Sequence, residues 1–343
     1  MNIKINSMAR VSLKDIAKEA GVSVTTVSLI INNKSQNGRI SPAVVARVNK
    51  IIKEKNFRPN TIARSLRTGK STTIGLIVED ISNHFFATIS KTIELVANEN
   101  GYKVIYASTD NDNQKARELV EMMQLQQVEG IIITPTIGLK PDIEELIKQE
   151  RPVVLFDRYF PGLSVSYVVL DNFKGAYDMT SHLIKKGYKN IAFITIASEM
   201  NQLQQRLNGY EQALNDHHLA NSASLVLEFS YDISREEKLK AIKIFLQKNK
   251  KVDALFFSTN YLGIIGVEYM TNNKLSIPKD YGFVSFDDHE LFKFLKPAIT
   301  VVAQPIELLA TEAINALLTL IKKKNVGVIQ KKLPAKLIHR ASE

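Results

Sequence analysis

The sequence predicts an α/β protein with a small all-helical head, a short connecting helix and a two-lobed core of doubly wound parallel sheets. Three observations carry that prediction. Residues 1–71 hold 14 Lys+Arg against 3 Asp+Glu, whereas the remainder holds 31 against 32. Within the basic segment, apolar residues recur at helical spacing around an early glycine. From residue 73 onward, short apolar runs alternate with amphipathic stretches, and this alternation starts twice.

A length of 343 residues exceeds one ordinary domain. The expected divisions are a head at 10–58, a connector at 59–71 and a core at 72–343. Within the core, one lobe is expected at 72–170 plus 303–325, and the other at 171–302 plus 326–340. There is no cysteine, which excludes a disulfide framework and thiolate metal sites. The six histidines are scattered, and the adjacent pair His217-His218 is poorly spaced for a shared ion, so neither a metal nor a cofactor is expected. No apolar run reaches the ~18 residues of a membrane span. The opening "MNIKINSMAR" lacks an apolar signal core, so a cytoplasmic location is expected, with Met1 or Met8 as the start and no membrane partner.

The head begins with "SLKDIAKEAG". Ser12 with Asp15 three residues on is close to a capping box, and Leu13, Ile16, Ala17 and Ala20 make one apolar face. Gly21 supplies the left-handed residue that stops this helix. Ser23 then caps a second helix that runs to about Asn32. Val27, Ile30 and Ile31 form its buried face, and Val24, Thr25, Ser28, Leu29 and Asn32 its open one. Two short helices about a glycine turn predict a helix-turn-helix, whose second helix enters the major groove of double-stranded DNA. Small hydroxyl side chains permit close approach and can bond phosphates or bases. A third helix starts at Ser41-Pro42 and packs through Val44, Val45, Val48, Ile51 and Ile52, with Phe57 closing the unit. In "RPNTIARSLRTGKS", Asn60 caps a helix from Thr61 to Arg67 that is too short to be stable alone.

In the core, "TIGLIVED", "YKVIYAST", "GIIITPT" and "PVVLFD" predict strands. After "DNFKGA" the series resumes with "NIAFITI", "SLVLEF", "VDALFFS" and "YGFVSF". Buried strands that alternate with helices form parallel sheets, and ligands sit at their carboxyl ends. The polar residues there are Asp80, Asp157, Arg158, Asn260, Asp287 and Asp288. No G-x-G-x-x-G follows the first strand, and "TGKST" leads into a strand instead of a helix, so neither reads as a nucleotide site. Only one of Asp287 and Asp288 can face a cleft, since neighbours on a strand point to opposite sides. A binding role is therefore favoured over an enzyme with a carboxylate pair.

"VSLKDIAKEAGVSVTTVSLIINN" and "FRPNTIARSLRTGKSTTIGLIVEDISNHFF" resemble the lactose-repressor (LacI/GalR) family of bacterial regulators. The likeness continues in "VVLFDR", "DNFKGA", "RLNGYEQAL", "STNYLGIIG" and "GFVSFDD". It implies a homodimeric repressor with a periplasmic-binding-protein-like core, a near-palindromic operator and a small-molecule effector. By this resemblance Val24, Thr25 and Leu29 read bases, while Ser23, Thr26, Ser28 and Asn32 contact the backbone. Position 29 is often polar in the family, so Leu29 implies an apolar contact such as a thymine methyl. Arg39 ends a connection that is longer than usual and is a further candidate contact. In the connector Asn60, Ala63, Leu66 and Arg67 are DNA-binding candidates, with Leu66 as the minor-groove wedge. The effector candidates are Phe85, Phe86, Asp157, Arg206, Asn260 and Asp287, with Asp287 expected to face Arg206 across the cleft. Carboxylates that accept hydroxyl protons and an Arg that donates two bonds suit a sugar or sugar derivative, and a nucleobase-like ligand is the competing reading. A secreted sugar-binding protein is the runner-up class, disfavoured by the basic head.

The connector yields the first prediction. Leu66→Ala is expected to weaken binding to specific DNA and to reduce its bending, while random DNA is bound nearly as before, because the phosphate contacts persist. Arg67→Ala is expected to weaken both and to flatten the salt dependence. Mobility shifts on the two DNAs over a salt series read both effects, and an equal loss on specific and random DNA in Leu66→Ala contradicts the wedge.

Overall fold

The computed structural model describes residues 11–32, 34–36, 38–57, 70–219, 225–230, 232–323 and 326–343. The chain divides into two compact units, Met1–Ser71 and Thr72–Glu343. The connector candidates Asn60, Ala63, Leu66 and Arg67 lie outside the described residues.

The described part of the smaller unit holds three helices: α1 (Leu13–Ala20), α2 (Val24–Ile31) and α3 (Pro42–Glu54). Each starts on the serine that the sequence supplies. Ser12 and Asp15 form a reciprocal capping box on α1, Ser23 caps α2 through Thr26 N, and Ser41 caps α3 with Pro42 in its first turn. Gly21 has φ 62°, where a side chain would be strained, and ends α1. Ile16, Ala17, Ala20, Val27, Ile30, Val48 and Ile51 make the shared core. Ile31, expected on the buried face of α2, is partly buried and packs at the edge of that core.

The larger unit contains two six-stranded sheets. The first contains β1 (Thr73–Val78), β2 (Lys103–Ser108), β3 (Ile131–Ile133), β4 (Val153–Phe156), β5 (Ser166–Leu170) and β11 (Gln330–Leu333), in the order β11-β5-β4-β3-β1-β2. All its pairings are parallel. The second contains β6 (Ile191–Ile196), β7 (Val226–Phe229), β8 (Ala254–Phe257), β9 (Gly282–Phe286), β10 (Thr300–Ala303) and β12 (Lys336–Ile338), in the order β12-β10-β9-β8-β6-β7. It is parallel except for the β10–β12 pair.

Alternation along each strand supplies apolar side chains to both faces of both sheets. In the first, Ile74, Leu76 and Val78 pack with α4 (His84–Glu99) and α12 (Ile306–Lys322), and Ile77, Ile131 and Ile133 with α5 (Asn113–Leu125) and α6 (Lys140–Lys148). In the second, Phe193, Phe256 and Val284 face α7 (Asn172–Lys185) and α8 (Asn201–Asp216), and Ile194, Phe257 and Phe283 face α9 (Arg235–Lys248) and α10 (Asn260–Asn272). A short helix, α11 (Glu290–Phe294), follows β9.

The sheets correct one expected boundary. The stretch 326–340 does not belong wholly to the second lobe, because β11 extends the first sheet and β12 the second. Among the described residues the chain therefore passes between the sheets three times: after β5, after β10 and between β11 and β12.

Helices α7 and α8 pack backbone to backbone at Gly209. A Cβ there would lie 2.2 Å from the carbonyl oxygen of Phe173, a backbone atom that cannot swing aside. Gly209→Ala is expected to destabilise the fold by about 1–3 kcal/mol, the usual range for overpacking. Thermal unfolding would show a drop of about 2–4 °C for each kcal/mol. An unchanged melting temperature contradicts the close approach.

Candidate functional site

On α2 the cap is a small hydroxyl cluster. Ser23 Oγ accepts from Thr26 N at 3.1 Å and lies 2.9 Å from Thr26 Oγ1. Val24 is 41% exposed, and Thr25 and Asn32 are exposed, while Ser28 and Leu29 are half-buried. The Asn32 amide turns back to donate to Ser28 O at 2.7 Å, so it is engaged with its own helix. Leu29 leans against the following loop, where its Cδ1 would meet a Cβ built on Gly38 at 2.8 Å. The next residue, Arg39, is exposed at φ 49°. Lys55 pairs with Glu19 and Lys50 with Glu54, but Lys14, Lys34, Arg39 and Arg47 have no such partner among the described residues. An exposed hydroxyl-rich helix beside unneutralised cations is suited to a polyanion.

In the larger unit the six effector candidates from the sequence line one cavity of about 80 Å³ between the two sheets. Phe85 and Phe86 come from the start of α4, which Asn83 caps by accepting from Phe85 N at 3.0 Å. Their rings meet edge to face with centroids 4.9 Å apart. Asp157 and Asp287 stand just past β4 and β9 at φ 66° and 65°, which turns each out of its strand and into the cleft. Asn260 is the first residue of α10, capped by Thr259.

Arg206 is 3% exposed. Its Nε donates to Asn172 Oδ1 at 2.8 Å, and one terminal nitrogen to Ser258 O at 2.6 Å and to Asp287 Oδ2 at 3.2 Å. Its guanidinium lies 3.7 Å from the centroid of the Phe286 ring. Gln304 holds the other oxygen of Asp287 at 2.6 Å. Arg206 and Asp287 thus belong to the same lobe and pair directly, so the expected opposition across the cleft is corrected. The reason is topological: α8 follows β6, which shares the second sheet with β9.

The first lobe carries a second buried cation that the candidate set omitted. Arg158 pairs with Glu79 and donates to Asn111 Oδ1 at 2.9 Å and Asp157 Oδ2 at 3.4 Å. Glu79 lines the cavity, whereas Asp80 turns to accept from Ser82 N at 2.8 Å. Asp288 faces away, held by Arg340 at 2.7 and 3.0 Å, so only one of the two aspartates enters the cavity, although both lie just past the end of β9 and the left-handed turn at Asp287, not strand alternation, separates them. Gln202 also lines the cavity, and its Oε1 is buried without a protein partner. The signal for Arg158 was its strand-end position beside Asp157. Asn111, Gln202 and Gln304 lie in segments with no distinctive spacing.

Burial raises the pKa of Asp157 above the ordinary carboxylate value. Arg158 and Arg206 pull it down, and the charges of Glu79 and Asp287 add to the rise.

A family model described as "Periplasmic binding proteins and sugar binding domain of LacI family" matches residues 71–340, and one described as "Bacterial regulatory proteins, lacI family" matches 12–60. The chain belongs to the LacI family. Among relatives of this LacI-family regulator is the HTH-type transcriptional regulator RegA of Clostridium saccharobutylicum, 34% identical over 96% of this chain and 98% of the relative. The structure of a transcriptional regulator CelR–cellobiose complex superposes with a TM-score of 0.72 at 26% identity, covering 97% of this chain and 100% of that one. A lac repressor dimer bound to operator and an anti-inducer shares the fold, with a TM-score of 0.85 at 21% identity over 97% of this chain and 99% of that one. The LacI-family chain is therefore a DNA-binding transcriptional regulator and not an enzyme, and its larger unit is the sugar-binding domain of the family. None of its described helices is long and apolar enough to cross a membrane.

The raised Asp157 pKa gives a prediction with a defined sign. Between the ordinary carboxylate value and the raised one, the folded state binds more protons than the unfolded state, so stability from this group falls as pH rises. Asp157→Asn keeps a residue that tolerates φ 66° and removes the buried charge. It is expected to melt higher than wild type at pH 8, with the gap closing as pH falls towards 4. Melting curves over that range test this, and a mutant that is less stable at pH 8 contradicts it.

Proposed function

We propose that this regulator is a transcriptional repressor, acting as a cytoplasmic homodimer, whose affinity for a near-palindromic operator is set by a small sugar or sugar derivative held between the two lobes. The observation that carries this is the convergence of Phe85, Phe86, Asp157, Arg206, Asn260 and Asp287 on one cavity. Carboxylates and amides there offer acceptors, two arginines offer donors, and the phenyl rings suit the C–H faces of a sugar ring. The structure of a relative in complex with cellobiose supports a carbohydrate over a nucleobase. The operator-bound lac repressor dimer supports two half-sites read by a two-fold assembly.

On the DNA side, Val24, Thr25 and Leu29 are assigned to base edges, Ser23, Thr26, Ser28 and Asn32 to the backbone, and Arg39 to the backbone or a base. Asn60, Ala63, Leu66 and Arg67 are assigned to the minor groove and its phosphates. The half-burial of Leu29 against the Gly38 loop supports a contact by the edge of its side chain, as with a thymine methyl. Effector and operator must change each other's affinity by one common factor.

The test is selection from random DNA followed by titration with candidate sugars. The selected site is expected to be a near-palindrome, and a single asymmetric half-site bound by a monomer contradicts the dimer. Asp287→Asn preserves the φ 65° turn but loses the charge that faces Arg206. It is expected to need roughly ten- to a hundredfold more effector, because each lost charged bond costs about 1.5–3 kcal/mol. Operator affinity without effector is expected to stay near wild type, and an unchanged effector response removes Asp287 from the site.

A further inference from the structure

Two histidines and a carboxylate that are far apart in sequence meet on the outer side of the second lobe. His182 sits in the last turn of α7. His339 and Glu343 belong to the tail that follows β12. This tail is fastened to the second sheet: Phe283 N donates to Ser342 O at 2.8 Å, Thr300 N to Ser342 Oγ at 2.8 Å, and Ser342 Oγ to Phe283 O at 2.5 Å. It delivers the Glu343 side chain to a site where that side chain is 1% exposed.

One oxygen of the carboxylate accepts the Thr300 hydroxyl, which itself accepts from Arg340 N at 2.7 Å. The other, Oε1, lies 3.0 Å from His182 Nε2 and 3.6 Å from His339 Nδ1. The two rings are 4.3 Å apart, and the three ligand atoms all lie within 4.8 Å of one another. Neither neighbouring cation bonds the side-chain carboxylate of Glu343. Lys186 Nζ donates to the main-chain oxygen of Glu343 at 3.1 Å, and Arg340 is engaged by Asp288. A buried carboxylate therefore faces imidazole nitrogens, and a buried charge calls for a cation, either a proton or a metal ion.

We propose that His182, His339 and Glu343 form a binding site for a divalent transition metal of the Zn²⁺ type, with solvent completing its shell. A tetrahedral zinc shell places neighbouring ligand atoms about 3.3 Å apart, between the two separations seen here. A small turn of the half-exposed His339 ring would close the remaining gap. Two imidazoles with one carboxylate favour zinc, nickel, cobalt or copper over magnesium or calcium. The Thr300 hydroxyl supplies the outer-shell bond that orients the carboxylate. A bound ion would staple the tail to the end of α7, the helix whose first residue, Asn172, holds Arg206.

The test uses the full-length, untagged protein stripped with a chelator, titrated calorimetrically with zinc chloride and melted with and without it. The proposal requires one zinc per chain, a higher melting temperature with zinc, and neither effect with magnesium chloride. His339→Gln is expected to weaken zinc binding by at least about tenfold, the lower bound for losing even an outer-shell partner. Its metal-free melting temperature should stay near wild type, since the ring is half exposed. Thr300→Val should also weaken zinc binding by about tenfold with all three ligands intact. His217→Gln, away from the cluster, should change nothing. The proposal is overturned if no zinc binds at micromolar concentration, or if both His182→Gln and His339→Gln bind it as wild type does. It is equally overturned if zinc binds but leaves the melting temperature unchanged.

Discussion

The cleft depends on keeping one buried cation satisfied. Arg206 is almost wholly removed from water, and a guanidinium does not give up its proton in a protein. It must be surrounded by acceptors, and three of the elements that form the second wall supply them: the first residue of α7, the end of β8 and the turn after β9. Phe286 covers its face. The wall is therefore ordered by the protein's own contacts, and a ligand bound there as proposed would meet fixed donors and acceptors, which limits what must be immobilised on binding. Arg158 plays the corresponding part in the first lobe with Glu79, Asn111 and Asp157. The two walls are alike in chemistry although they are built from different elements.

The head was legible because its signals are local. A capping box, a left-handed glycine and a serine-proline start each act within four residues, and all three were found where the sequence places them. Eight strands were legible for a similar reason, as local apolar runs between amphipathic stretches. The other four were not. The apolar runs of β5 and β10, Val168–Leu170 and Val301–Ala303, did not stand out although they are as long as those of β3 and β8, because each lies close to the start of a helix. Strands β11 and β12 are half-exposed edge strands reading "QKKL" and "KLI", formed by pairing with distant partners and not by their own pattern.

Six of the residues lining the cleft were legible, yet Arg158, Glu79, Asn111, Gln202 and Gln304 were not among the candidates, and the geometry was not legible either. That Asp157, Arg206 and Asp287 belong together follows from strand ends and the family resemblance. That Arg206 and Asp287 share one lobe follows from sheet order, which a sequence does not display. The choice of Glu79 over Asp80 turns on one residue of register at the end of β1. The cluster of His182, His339 and Glu343 depends on the tail returning to α7, so no spacing pattern announces it.

The three passages of the chain between the sheets have a mechanical consequence. One linker would let the lobes tumble, and two would leave a swivel about the line that joins them. Three linkers tie the lobes at three places, which restricts twist and sliding more than one or two can. Contacts made with both lobes by a molecule lodged between them are then channelled into opening or closing about a single axis. The dividing of β11 from β12 completes that joint, so residues 334–335 are its third link and the strands either side of it belong to different lobes.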